Sequence, residues 1–478
     1  MSRIIAASFG LLLAFSAVST ALEPPGEGGR MGSKSFSSPD AADEALKSGN
    51  HLVSPELVAD FKNRLSKAKG KPISVPGRRV GLPSQGNPKI LVLLIEFEDY
   101  PHKAVDTAEA MHDKIFNAGD VFPYESLTGY YKRSSYGKLN IGGNVLGWYK
   151  AGRRADVPQD VAGQRVLIEQ AVSSYTEHDF SQYDNNGDGT IDYLAVIWTG
   201  PPGAWNSFWW GKKMNFSDPK FLVGGEKLGV FSWQWETSDW GSEQASFSPR
   251  IMIHETGHAL GLPDYYDYKP GEGVEGGLGR FDMMESNNND HNCFSKFLLG
   301  WIEPVVAAPG KFTLRPASES PRCVLLAPPG WDKNPFSEFF LVENRQKTGN
   351  DGDQNFPGGG LVIWHVDARL TEDAKGLLYN NSTTDRKLLK IMEADGLEDI
   401  VMGKSYGVED FYNAGSEFGP LTIPSGRLYD GTDTGFRLTA LGGSTDASFI
   451  LTRTITSVAP LYPVMPIRPV RPAKPGER

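Results

Sequence analysis

After the N-terminus, an unbroken aliphatic stretch runs from Ile90 to Ile95, flanked by Lys89 and by Glu96-Phe97. Six consecutive apolar residues leave no polar face, so Lys89 to Phe97 is predicted to be a strand covered on both sides. Apolar positions at helical spacing follow from Thr107 to Phe116 and from Val161 to Tyr175, and Tyr193 to Trp198 is a second strand. This alternation predicts one α+β domain over residues 86–304. Beyond Val305 the pattern changes to short strands, Phe339 to Glu343, Gly360 to Val366 and Ser448 to Leu451, separated by turn residues. They predict a β-rich, sandwich-like module over 305–455.

The two ends are written differently. Ser54-Pro55 opens a helix whose Leu57, Val58, Phe61 and Leu65 share one face, but the rest of 22–85 is rich in Ser, Gly, Pro and Lys. It is expected to be a pro-segment or flexible N-terminal region, and Arg78-Arg79 offers a basic cutting point. In the tail 456–478, Pro recurs at 460, 463, 466, 469, 472 and 475, a three-residue beat that favours extended, disordered polyproline II.

Composition adds a compartment. Residues 1–21 carry Arg3, an apolar run from Ile4 to Val18, and Ser19-Thr20-Ala21, the layout of a secretory signal peptide cut after Ala21. No later apolar run reaches spanning length, so the product is expected to be secreted and extracellular, without stable membrane insertion. A net charge of −10 and a pI near 5.4 argue against nucleic acid or an anionic membrane as partner. Cys293 and Cys323 are the only cysteines. A disulfide and two buried thiols are both open readings.

The chemistry concentrates in His254-Glu255-Thr256-Gly257-His258, continued by Gly261 and Asp264. Ser248-Pro249 starts a helix expected to run to Leu260, which sets the two imidazoles one turn apart on one face, able to grip a single zinc ion. Zinc in a catalytic site needs a third protein ligand. Gly261 can take the positive φ that turns the chain back, so Asp264 is favoured over Glu272, Glu275 and Glu285. Glu255 then stands as general base toward metal-bound water.

A second cation site is expected in Asp184-Asn185-Asn186-Gly187-Asp188-Gly189-Thr190-Ile191-Asp192, where Asp184, Asn186, Asp188, Asp192 and the Thr190 carbonyl alternate as in a calcium loop. Ala195 stands where an EF-hand carries its bidentate Glu, so the reading is a calcium-stabilised loop and not an EF-hand.

Beyond the zinc segment 254–267, several stretches make the chain resemble the immune inhibitor A family of secreted bacterial metallopeptidases, the M6 peptidases. They are Leu91 to Asp99, Gly129-Tyr130-Tyr131, Ser134 to Leu139, Gly279 to Met284, Glu343 to Gln346 and Gly359 to Asp367. The resemblance covers roughly residues 88–455. It implies a metzincin-like domain with Asp as third ligand, a Met turn beneath the metal at Met284 (Met283 the second choice), and endopeptidase activity on protein or peptide substrates. Glu285 departs from the small residue usual after that Met. The competing reading is a catalytically silent peptidase-like surface or matrix-binding protein, which has no physical need for Glu255. Tyr265, Tyr266 and His291 are candidate oxyanion donors, and His365 reads as structural. Trp205, Trp209, Trp210, Trp233, Trp235 and Trp240 line a cleft or fill a core.

Overall fold

The computed structural model describes residues 39–68, 81–117, 119, 124–268, 277–353, 356–443 and 445–453. The signal peptide, Arg78-Arg79, Glu272, Glu275 and the Pro-rich tail lie outside them.

The chain is a mixed α/β assembly of three sheets. The first is built from β1 (Lys89–Phe97), β2 (Gly142–Ala151), β3 (Thr190–Trp198), β4 (Lys212–Asn215), β5 (Leu222–Val223) and β6 (Glu226–Trp235), in the order β2-β1-β3-β6-β4 with β5 also on β6. β2, β1, β3 and β6 are parallel, whereas β4 runs antiparallel along β6, pairing Met214 with Phe231. The unbroken apolar run of β1 is explained by its two faces. Ile90, Val92 and Leu94 enter one core, and Leu91, Leu93, Ile95 and Phe97 the other. β3 repeats the arrangement, with Tyr193, Ala195 and Ile197 on one side and Leu194, Val196 and Trp198 on the other. Each such side chain removed from water contributes roughly 1.5–3 kcal/mol, which makes this pair the anchor of the sheet.

The helices are α1 (Pro39–Ser48), α2 (Pro55–Ala68), α3 (Ala108–Phe116), α4 (Leu127–Ser134), α5 (Val161–Ser173), α6 (Arg250–Ala259), α7 (Met283–Ser286) and α8 (Cys293–Leu298). α5 covers one face of the first sheet through Leu167, Ile168, Ala171 and Val172. α2, α4, α6 and α8 share the opposite core. Thr107 precedes α3 as its cap, accepting the Ala110 N–H at 3.2 Å, so the helix starts one residue later than the periodicity implies.

Residues 305–453 form two further sheets. β7 (Val305–Val306), β9 (Val324–Leu326), β10 (Glu338–Arg345), β11 (Gly360–Asp367) and β12 (Leu389–Ile391) stand in the order β12-β11-β10-β9-β7. β8 (Gly310–Leu314), β13 (Glu417–Phe418), β14 (Phe436–Gly442) and β15 (Ala447–Arg453) follow the order β13-β14-β15-β8. The two share a core through Phe340, Val342 and Ile363 on one side and Leu438, Phe449 and Leu451 on the other. The other face of the five-stranded sheet, with Phe339, Leu341, Val362, Trp364 and Val366, joins the core that holds α6. Cys293 and Cys323 are buried as free thiols, near enough for a hydrogen bond between them.

Candidate metal centre

α6 ends in a Schellman turn. Gly261 adopts φ +97°, its N–H bonds the His258 carbonyl at 3.0 Å, and the Leu262 N–H bonds the Gly257 carbonyl at 3.0 Å. This reversal carries Asp264 back to the helix face that presents His254 and His258. The His254 and His258 Nε2 atoms lie 3.1 Å apart, and Asp264 Oδ1 stands 3.0 Å from the first and 3.3 Å from the second.

The other ring nitrogens decide what this means. His254 Nδ1 lies 3.0 Å from the Met283 carbonyl and His258 Nδ1 2.9 Å from the Leu262 carbonyl. A carbonyl only accepts, so each neutral ring carries its proton on Nδ1 and aims an Nε2 lone pair at its neighbours. Two lone pairs and a carboxylate oxygen then converge, and a divalent cation satisfies all three together. Bonds of about 2.0–2.1 Å at tetrahedral angles would space such donors roughly 3.3 Å apart, so the N2O set fits zinc. These three residues could hold a metal ion. Burial would raise the Asp264 carboxyl, but positive charge at the two imidazole positions outweighs it and holds the group well below the usual carboxylate range, so the site favours the anion.

Glu255 is 2% exposed and its Oε2 has no hydrogen-bond partner. Burial pushes it up to about 7, with Asp264 adding to the rise and His254, Lys213 and Lys212 opposing it. Lys212 and Lys213 lie on β4, the sheet edge beside α6.

Beneath the helix, a Cβ at Gly257 would collide with Met284 Sδ, so Met284 packs against the residue between the two imidazoles. Met283 contributes its backbone instead. Asp282 caps α7, accepting the Met284 N–H at 2.7 Å, and is itself gripped by the Asn292 N–H and side-chain amide at 2.6 Å each. Glu285 accepts the Leu278 N–H at 3.1 Å, which ties down the chain before the turn.

The remaining candidates separate. The Tyr265 hydroxyl is spent on Ser295 Oγ at 2.8 Å, and His291 is buried among Tyr130, Tyr131 and Trp301. Tyr266 alone of the three adjoins Asp264 and feels the Glu255 charge. Tyr268 was not singled out from sequence, yet its hydroxyl donates to Asp264 Oδ2. The only available signal was its place four residues after Asp264 in a Tyr-rich run. Trp198, Trp209, Trp233 and Trp235 interlock at ring distances of 4.9–6.3 Å, with Arg154 4.1 Å over Trp209. They fill a core; Trp205 lies 5.9 Å from Tyr268, the residue bonded to Asp264. His365 is structural, 2.8 Å from Glu338 and stacked between Phe340 and Tyr429.

The connection between α1 and α2 lies over the centre. The Asp264 N–H bonds the Asn50 carbonyl at 2.7 Å and the Ser54 N–H bonds the Gly261 carbonyl at 3.0 Å. Asn50 Nδ2 reaches the Lys213 carbonyl on β4 at 3.3 Å, and the His51 ring lies 5.7 Å from Tyr268.

The Asp184 loop gives calcium no support. Asp184 Oδ1 accepts the N–H groups of Gly187 and Asp188 at 2.6 and 3.0 Å, and Oδ2 that of Gly189 at 2.8 Å. Asp192 accepts from the Asn185 backbone and from the Asn185 and Asn186 amides at 2.9–3.1 Å. Asp184, Asp188 and Asp192 do not gather within 4.8 Å of one another, the span that the His254 group meets. Asp184 and Asp192 are thus bonded within the loop itself. Asp188 and the Thr190 carbonyl complete the predicted ligand set without changing this.

No family model matches the chain. Over 229 residues it is 28% identical to immune inhibitor A of Bacillus thuringiensis subsp. alesti, covering 37% of this chain and 33% of that protein. It is 25% identical over 230 residues to the pre-pro-metalloprotease PrtV of Vibrio cholerae serotype O1, covering 37% of this chain and 25% of that protein. The matches thus span a third or less of these relatives, and they support the resemblance to the M6 metallopeptidases. Among the described residues no helix is long and apolar enough to cross a membrane.

Proposed function

We propose that the chain is a secreted zinc endopeptidase, with a metzincin-like catalytic domain over 86–304 and a sandwich-like module over 305–455. The observation that carries the reading is the pair of Nδ1-locked imidazoles whose lone pairs face Asp264 Oδ1 at 3.0 and 3.3 Å. Zinc bound there supplies a Lewis acid that polarises a peptide carbonyl and lowers the pKa of water. Glu255 takes the proton of the attacking water at its free Oε2 and returns it to the leaving amine. Tyr266 adjoins the ligand set with its hydroxyl bonded to Tyr268 and Asp264, and donates to a developing oxyanion only by giving up the Asp264 bond. Metal analysis of the purified chain and digestion of casein with and without a zinc chelator test the reading. One zinc per chain and chelator-sensitive cleavage are expected. Bound zinc without cleavage would favour the silent binding protein.

We further read residues 22–85 as a pro-segment that withholds the centre from substrate. The docking of Asn50 on Asp264 and on the free edge of β4 supports it, since an extended peptide would pair with that edge. Chain cleaved before Gln85 should hydrolyse casein faster than intact chain; equal rates would remove the latency role and leave the zinc chemistry standing.

A further inference from the structure

A second group of acids lies far from the zinc ligands in sequence, in the loop that follows β12. Glu393, Asp395 and Asp410 each offer an oxygen within 4.8 Å of the others, with Glu393 and Asp410 buried and Asp395 exposed. Among the described residues no Lys, Arg or His forms an ion pair with any of them; the nearby Lys390 and Lys404 pair instead with Glu398 and Asp399. Two buried polar atoms make this more than an acidic patch. Asp395 Oδ1 accepts the Leu397 N–H at 3.0 Å, Asp410 Oδ2 the Gly407 N–H at 2.7 Å and Glu393 Oε2 the Ile400 N–H at 3.2 Å, but Glu393 is 2% exposed and its Oε1 has no partner. Tyr412, 1% exposed, sits close enough to feel the Asp395 and Glu393 charges, and its hydroxyl is also unpartnered. Leaving such groups dry and unpaired costs on the order of 1–3 kcal/mol each.

We propose that Glu393, Asp395 and Asp410 bind a calcium ion that fixes the 393–411 loop against the chain leading into Met283 and Met284. The donors are all oxygen, which excludes a preference for zinc or copper, and an irregular loop suits the flexible coordination of calcium better than the strict octahedron of magnesium. Tyr412 would bond to water in the ion's shell. Burial pushes Glu393 up to about 7 and Asp410 up to about 6, each further raised by neighbouring acids. The loop has something to hold. Ile400 Cγ2 lies 3.3 Å from the Cβ position of Gly279, Arg280 stacks 5.7 Å over Tyr406, and Phe411 packs 5.3 Å from Phe281.

The test uses full-length chain silenced by Glu255→Gln, so its outcome does not depend on the peptidase reading. Calcium at about 1 mM, the range of extracellular calcium modules, should raise Tm by several degrees, and terbium should luminesce when the aromatic rings are excited. Asp395→Asn, at an exposed position that leaves the fold intact, and the double variant Asp395→Asn/Asp410→Asn should both lose the calcium-dependent rise. Asp184→Asn/Asp188→Asn should keep it. A parent chain indifferent to calcium, or a rise that survives both cluster variants, overturns the proposal, as does a rise lost only in the Asp184 loop variant.

Discussion

Glu255 Oε2 is a buried carboxyl oxygen with no donor, an arrangement that lowers stability and calls for a functional reason. Glu255→Gln keeps size and shape but removes the base. Hydrolysis should fall by about 10²–10⁴-fold while bound zinc, measured by metal analysis, stays at one per chain. Tyr268 acts one step removed, by fixing Asp264 through Oδ2. Tyr268→Phe should weaken zinc by about 10–100-fold in chelator competition, with the Glu255-dependent chemistry intact once zinc is saturating. These two residues mark what the sequence could and could not disclose. That His254, His258 and Asp264 would come together was legible because side-chain type and spacing encode it. The carbonyls of Met283 and Leu262, which lock the imidazole tautomers, were not, since any residue type supplies a carbonyl. In the Asp184 loop the alternating oxygens were legible but their partners were not: positive φ at Gly187 and Gly189 turns backbone donors onto Asp184.

At the scale of elements, the helix that carries the imidazoles is clamped from both ends of its glycine pair. Gly257 rests on Met284 Sδ and near the Tyr131 hydroxyl, leaving no room for a methyl. Gly257→Ala should destabilise by about 1–3 kcal/mol in urea unfolding of the silenced chain, because overpacking there must displace the Met floor. Gly261→Ala combines a strained φ of +97° with contact on Ser54 and Leu57. It should cost more in intact chain than after removal of residues 22–85, where only the backbone strain remains. Strand legibility followed burial. β1 and β3 were readable because both faces are apolar. β2 escaped because it is half-buried and interrupted by Gly143 and Gly147, where a Cβ would meet Ile90 and Leu94, so neither alternation nor a continuous run appears. The helix α6 matched its expected span to within one residue at each end, since Pro249 and Gly261 punctuate it.

For the whole molecule, the informative feature is that boundaries drawn from pattern cross a continuous core. Periodicity reports that a face is apolar, never which partner covers it. At the entry to α6, Lys103 donates its N–H to Glu236 at 2.8 Å, and Asp106 beside it accepts the Phe247 N–H at 2.8 Å, so one acid pair joins three segments. Burial, reinforced by Asp106, pushes Glu236 up to about 8. A raised folded-state value means this stabilisation is full below the ordinary carboxylate range and is lost as pH climbs toward 8. The silenced chain should therefore melt lower at pH 9 than at pH 6, and Glu236→Gln should flatten that slope. The shared core makes a stronger demand. Phe339, Leu341, Val362, Trp364 and Val366 from β10 and β11 bury one face of the five-stranded sheet in the cluster that contains Met252, Phe281 and Trp301. Exposing those five would forfeit roughly 8–15 kcal/mol, as much as a domain's entire stability. Residues 86–304 expressed alone should accordingly lack a cooperative thermal transition and near-ultraviolet dichroism, whereas chain extending to Arg453 should unfold in one transition. A sharply melting 86–304 fragment would mean that the helix layer can close over itself and that the β-rich part is a separable module.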